Sequence, residues 1–349
     1  MKKKRRLSAA LLFAAACLLC SGCRQTEQEE KEPAHQEEKM QIGLSFDSFV
    51  IERWTRDRDM FVSTAQSLGA EVNVQVAGGD IQEQISQIEY FIKKKMDAIV
   101  IIAIDGEALS EVVKKAQEEG IKIVSYDRLI QNANTDLYIS FDNERVGELM
   151  GEALAAACPE GGDICMINGS PSDHNVTQVD EGFMRAIDGS GLEVVYTNFC
   201  DNWLAELAFD EMNEGLEQSK DIVGVMCGND DLASQAIRAL AENRMAGDVP
   251  VVAQDAELSA CQRIVEGTQT MTVFKPMEEL AKKAAELSVA LIKGENLSGG
   301  LQDCSVISDG TYDIPCYYIE PVAVTAENME EVIISSGFHQ AEDVYLNIK

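Results

Sequence analysis

Histidine and aromatic side chains are scarce in this 349-residue chain, which has three histidines, two tryptophans and an aromatic content of 6%. The histidines, His35, His174 and His339, enter no triad, metal-ligand spacing or nucleophile elbow, so enzymatic hydrolysis and resident metal chemistry find no support. No cofactor is expected, because the Gly-rich AGGD at 77–80 lacks the spacings that cradle a nucleotide phosphate and reads as a turn. Positive charge is also short: 29 Lys and Arg face 60 Asp and Glu, for a formal charge of −31, which excludes nucleic acid as a partner. The longest apolar run, Leu7 to Leu19, is too short to span a bilayer. No Pro/Gly/Ser-rich linker divides the chain, and the ten cysteines follow no spacing of a disulfide framework.

What is present begins with an export signal. MKKKRR is a basic n-region, LSAALLFAAACLL an apolar core and CSGC a small-residue cleavage site, together a leader over residues 1–22. Cys17, Cys20 and Cys23 spell C-x-x-C-x-x-C, but inside a segment to be removed rather than in a metal site. The acidic, non-periodic stretch that follows, residues 23–40, reads as a solvated tether. Seven cysteines lie beyond Cys23; Cys165 and Cys227 fall in expected buried strands, where a thiol behaves as a small hydrophobe.

From Gln41 onward, short apolar runs alternate with amphipathic segments, the pattern of β/α units around parallel sheets. The first set of strands is expected at 42–46, 71–76, 98–104, 121–126 and 138–141, the second at 164–167, 193–199, 222–226, 249–253 and 270–274. Pro276 opens a long helix, and YYIEPVAV at 317–324 supplies a last strand. The fold class is therefore α/β, with two doubly wound parallel-sheet lobes.

Ligands of open parallel sheets sit beyond the carboxyl ends of the strands. There the sequence places Asp127 and Arg128, Asp142 and Asn143, Ser170, Asp173 and Asn175, Trp203, Asn229 and Asp230, Gln254 and Asp255, and Lys275. Carboxylates, amides and cations of this kind hydrogen-bond many neutral hydroxyls at once, and an indole face suits the C–H patch of a pyranose ring, so the set reads as a sugar pocket. Each member has a plainer reading. Asp142, Asn143 and Asp230 precede helices as N-caps, Arg53 and Arg128 suit surface ion pairs, and Trp54 shares a helical stripe with Phe61, Ala65 and Leu68. Lys275, ahead of a Pro-initiated helix, stands at the wrong end of a helix dipole for structural reasons alone.

The strings ERWTRDRD, SYDRLI, YISFDNERVGEL, GSPSDHN, DNWLAE, GTQTMTVFKP and SGFHQ, in this order, resemble those of bacterial D-xylose-binding proteins, the solute receptors of ABC importers with a type I periplasmic-binding fold. The resemblance runs from about Ile42 to His339. It implies a monosaccharide, D-xylose or a close aldose, held by Arg53, Trp54, Asp127, Arg128, Asp173, Asn175, Trp203, Asn229, Asp255 and Lys275. It also implies a three-stranded hinge crossed near Asp142, Thr270 and Ser305, with residues 41–142 and 271–305 in the N-terminal lobe and 143–270 and 306–349 in the C-terminal lobe. The partner would be the permease of an ABC importer, the receptor a monomer without enzymatic activity; the rival is a sensing module presenting its closed form to a membrane histidine kinase. The end of the leader resembles the lipobox of bacterial lipoproteins, which implies a lipid on Cys23 and anchorage to the outer face of the cell membrane.

Overall fold

The computed structural model describes residues 39–51, 53–295 and 304–348; the leader and Cys23 lie outside them. Strands β1 (Met40–Phe46), β2 (Ala70–Val76), β3 (Ala98–Ile101), β4 (Lys122–Tyr126) and β5 (Leu137–Phe141) run parallel in one sheet. Helices α1 (Arg53–Ser67), α2 (Ile81–Lys94) and α3 (Ser110–Glu118) connect them. β3 and β5 are buried throughout, which is why their sequences read as continuous apolar runs rather than alternating ones. Phe91, Ile99, Ile101 and Ile123 pack between this sheet and the α2–α3 layer.

The second lobe begins at α4 (Asn143–Ala157) and adds β6 (Gly162–Asn168), α5 (His174–Ile187), β7 (Leu192–Phe199), α6 (Ala205–Gln218), β8 (Ile222–Cys227), α7 (Asp230–Glu242), β9 (Val251–Gln254), α8 (Leu258–Glu266) and β10 (Met271–Phe274). Its strands are parallel from β7 through β6, β8 and β9 to β10. β7 is the edge of that sheet and, after buried Leu192, alternates exposed with half-buried positions. Helices α4 and α5 touch backbone to backbone: a Cβ on Gly147 would stand 1.9 Å from the Val179 carbonyl oxygen, and one on Gly182 would stand 1.9 Å from that of Glu144.

The chain then returns to the first lobe with α9 (Met277–Ile292), which packs on α1, β4 and β5. Two further strands follow there, β11 (Cys304–Ser308) and β12 (Asp313–Ile319), before β13 (Val322–Val324) closes the second sheet against β10. The sheets are thus seven strands in the order β11-β12-β5-β4-β3-β1-β2 and six in the order β13-β10-β9-β8-β6-β7. A π-helical turn, Glu330–Ile334, and a short α10 (Ala341–Val344) end the described chain.

This pairing moves two of the lobe boundaries expected from sequence. β10 belongs to the second sheet, so the chain crosses at Lys275 and Pro276 rather than at Thr270; β11 and β12 belong to the first, so the last crossing falls at Glu320 and Pro321 rather than at Ser305. The single strand expected over 317–324 is consequently two. Pro321 carries no N–H for a ladder, and its two sides join different sheets, one parallel to β5 and the other antiparallel to β10. β11 was not anticipated: it is a short antiparallel edge strand following a segment without strand patterning.

Cys158, Cys165, Cys200, Cys227, Cys261 and Cys316 are buried free thiols. Ser305, not Cys304, lies opposite Cys316, with Oγ and Sγ 2.8 Å apart.

Candidate functional site

The carboxyl ends of both sheets meet at one cleft. From the first lobe, Asp47 follows β1, Arg53 and Trp54 open α1, and Asp127 and Arg128 follow β4. From the second, Asp173 and Asn175 open α5, Trp203 follows β7, Asn229 follows β8 and Asp255 follows β9, with Lys275 on the crossing after β10. All ten residues singled out from the sequence are 1–9% exposed. Charges this buried are tolerated only when paired.

The pairing runs across the cleft. Arg128 donates to Asp47 at 2.7 Å and to the Ala103 carbonyl at 3.0 Å within its own lobe, while its Nε lies 2.7 Å from Oδ2 of Asp173 in the other. That same Oδ2 accepts the Trp203 indole N–H at 3.2 Å. Asn175 donates its amide to the Asp127 carbonyl at 3.1 Å and to Asp127 Oδ1 at 3.2 Å. Arg53 donates to Asp127 and stands 3.8 Å from Asp57 and 4.0 Å from Asp255. Lys275 Nζ is 2.6 Å from Asp255 and donates to Gln254 at 2.9 Å. The lobes are therefore closed on each other.

Electrostatics follow from these neighbours. Burial alone would lower the Arg53 pKa, but Asp127, Asp57 and Asp255 more than reverse it, and Arg128 is raised in the same way by Asp47 and Asp173. Burial works against ionised Asp127 too, yet Arg53, Lys275 and Arg128 hold its carboxyl below the ordinary range. Asp173 goes the other way, raised because burial outweighs Arg128. Asp57, buried behind Arg53 and accepting the Tyr126 hydroxyl, is pushed up to about 6 by burial.

The two indoles are set differently. Trp54 lies edge-on to Phe46 with centroids 6.2 Å apart, and the Arg53 guanidinium sits 4.1 Å from its ring centroid. Trp203 lies flat on Gly169, where a Cβ would come 2.2 Å from its Cη2, so only glycine admits the ring. Asp127, Trp203 and Asp255 hold φ of 64°, 59° and 101°, conformations costly for non-glycine residues and concentrated at functional sites. Three polar atoms of the site, Arg53 Nε, Trp54 Nε1 and Asn229 Nδ2, are buried without a hydrogen-bond partner among the described residues. A cavity of about 190 Å³ opens beside Arg128 and Trp203, lined also by Asp47, Ser48, Ser170 and Asn202.

Several side chains escaped the sequence reading. Asp47 directly follows β1, so the strand-end rule applied to IGLSF finds it. Asp57 is signalled by its i,i+4 spacing from Arg53; Tyr126 and Phe141, the latter with its ring centroid 5.5 Å from the Arg53 guanidinium, sit at the ends of strands and read only as core. The caps also differ in part. Asp142 caps α4 through Arg145 N–H, as expected, but α7 is capped by Asn229 through Leu232 N–H rather than by Asp230. Among the described residues no cluster of His, Cys, Asp and Glu is arranged to hold a metal ion.

Comparison with known proteins identifies the family. A family model described as periplasmic binding protein domain matches residues 42–296. The chain is 45% identical over 311 residues to a D-xylose-binding periplasmic protein of Haemophilus influenzae, covering 88% of this chain and 92% of the relative. It is 40% identical over 316 residues to a D-xylose-binding periplasmic protein of Escherichia coli, covering 89% and 94%. Among solved structures, an ABC transporter solute binding protein from Clostridium phytofermentans with bound β-D-glucose superposes with a TM-score of 0.78 at 27% identity, over 87% of this chain and 99% of that one.

Proposed function

The chain belongs to the periplasmic binding protein family, whose members bind solutes for ABC transporters rather than transform them, and from that membership we propose that it captures D-xylose, or a closely related aldose, between its two lobes. The observation that carries this reading is a closed cleft in which two indoles and eight charged or amide side chains converge while Arg53 Nε, Trp54 Nε1 and Asn229 Nδ2 lack a hydrogen-bond partner among the described residues. Sugar hydroxyls both donate and accept, so they suit amide, carboxylate and guanidinium groups together, and the indole faces suit the ring C–H patches. Trp54, Trp203, Arg53, Asp127, Arg128, Asp173, Asn175, Asn229, Asp255 and Lys275 are the ligand-binding residues of this reading.

Selectivity would follow from hydroxyl pairing, since a sugar lacking a matching group leaves buried polar atoms unpaired. Titration calorimetry over D-xylose, D-glucose, D-ribose and L-arabinose tests it. D-xylose is expected to bind most tightly, and D-glucose, with its extra hydroxymethyl, at least about tenfold more weakly. Binding of every aldose with equal affinity, or of none, overturns the assignment. The closed form would be presented to the permease of an ABC importer, with the receptor monomeric and held at the membrane by a lipid on Cys23. Cys23→Ala is expected to release the protein into the soluble fraction, and a variant that stays with membranes contradicts the anchor.

A further inference from the structure

Asp255 and Ala256 adopt φ of 101° and 52°, two consecutive non-glycine residues on the left-handed side, immediately after β9. Such a turn persists only where its surroundings over-determine it. Its backbone groups are held from behind. Asp255 N–H donates to the Val273 carbonyl at 2.8 Å, and Ala256 N–H donates to Thr272 Oγ1 at 3.1 Å. That hydroxyl in turn donates to Asp230 Oδ2 at 2.7 Å, and the same Oδ2 accepts Glu257 N–H at 3.1 Å. Gln269 donates to the other Asp230 oxygen at 2.8 Å. From the C-terminal SGFHQ segment, His339 Nε2 meets the Ala256 carbonyl at 2.8 Å. Asp230 and Thr272 are fully buried and His339 is 7% exposed.

We propose that Asp230, Thr272 and His339 are positioning residues for sugar binding: they form a brace that locks the 255–256 turn in its left-handed form and thereby presents the Asp255 carboxylate to Lys275 and the cleft. The Thr272 hydroxyl is its central relay, accepting from the turn and donating to Asp230. Without the brace, Asp255 relaxes to an ordinary φ and its carboxylate swings away from Lys275. This rests on the reading of Asp255 as a sugar ligand, and it gives a role to Asp230 and to the SGFHQ segment, neither of which enters the cleft.

The test is a double-mutant cycle in the full-length protein, with D-xylose affinity measured by calorimetry. Thr272→Val keeps the shape and deletes the hydroxyl, and is expected to weaken binding roughly tenfold, whereas Thr272→Ser, which keeps it, restores affinity to within about threefold. In an Asp255→Ala background, Thr272→Val should weaken binding no further. Equal losses in both backgrounds, or no loss in either, overturn the brace, and failure of serine to rescue overturns the role of the hydroxyl. An Asp255→Ala variant with unchanged affinity instead overturns Asp255 as a ligand. Should Thr272→Val fail to fold, His339→Ala enters the same cycle and reads the brace through the Ala256 carbonyl.

Discussion

At the scale of the residue, the two tryptophans carry different loads. Trp54 is 1% exposed, packs on Phe46 and belongs to the hydrophobic core, yet its indole N–H is buried without a partner among the described residues. The core-stripe reading of that position describes its packing, and its place in the pocket wall belongs to the proposed function. Trp54→Ala is expected to cost about 3–5 kcal/mol of stability as a core truncation, besides weakening D-xylose binding. Trp203 belongs to the same cluster but is 8% exposed and donates to Asp173 at the cleft, so Trp203→Ala should weaken binding by about 1–3 kcal/mol with a smaller stability loss. Denaturant melts and calorimetry on the two variants check both, and equal stability losses contradict the distinction.

Asp180 provides a pH test at the same scale. Burial pushes its carboxyl up to about 7; Oδ2 accepts from Asn168 at 3.1 Å and Oδ1 has no partner among the described residues. A carboxyl whose folded pKa is raised binds its proton more readily folded than unfolded. The ionisation penalty is therefore fully present above pH about 7, shrinks as pH falls, and vanishes below the unfolded value of about 4. Asp57 and Asp230, raised to about 6 and about 7 chiefly by burial, act in the same sense. Stability measured by denaturant melts should rise between about pH 8 and about pH 5, and Asp180→Asn should reduce that rise. An unchanged slope in the variant contradicts this account of Asp180.

At the scale of the element, α5 is the part whose placement most affects the cleft, because its first turn carries Asp173 and Asn175. Its position is set by Gly147 and Gly182, which let α4 and α5 approach without side chains between them. Gly182→Ala is expected to destabilise the protein by about 1–3 kcal/mol or more, measured in denaturant, despite alanine's better helix propensity. A neutral or stabilising effect contradicts the close packing. Such glycines are invisible to periodicity, which registers apolar faces but not interhelical distance. The parallel strands were legible because most are compact apolar runs followed by polar strand-end residues, while β2 and β7 alternate. β11 and the break at Pro321 were not, since a short edge strand and a crossing between sheets leave no periodic signal, and only the missing proline N–H marks the second.

At the scale of the whole molecule, the contacts that join the lobes include polar pairs among the residues assigned to the sugar: Arg128 to Asp173, Asn175 to Asp127, and Arg53 near Asp255. The strand-end rule finds these side chains one by one except Arg53, which enters through the resemblance, but not that they satisfy one another across the cleft, because pairing between lobes is a property of closure rather than of either lobe's sequence. Three chain crossings connect the sheets, and a rotation about them would separate those pairs. A ligand favours closure only by binding the closed form better than the open one, which the partnerless polar atoms of the cleft allow it to do. Small-angle scattering of the protein with and without saturating D-xylose tests this most directly. The account predicts a smaller radius of gyration with sugar than without, and an unchanged radius in a sample that calorimetry shows to be fully occupied would contradict capture by closure.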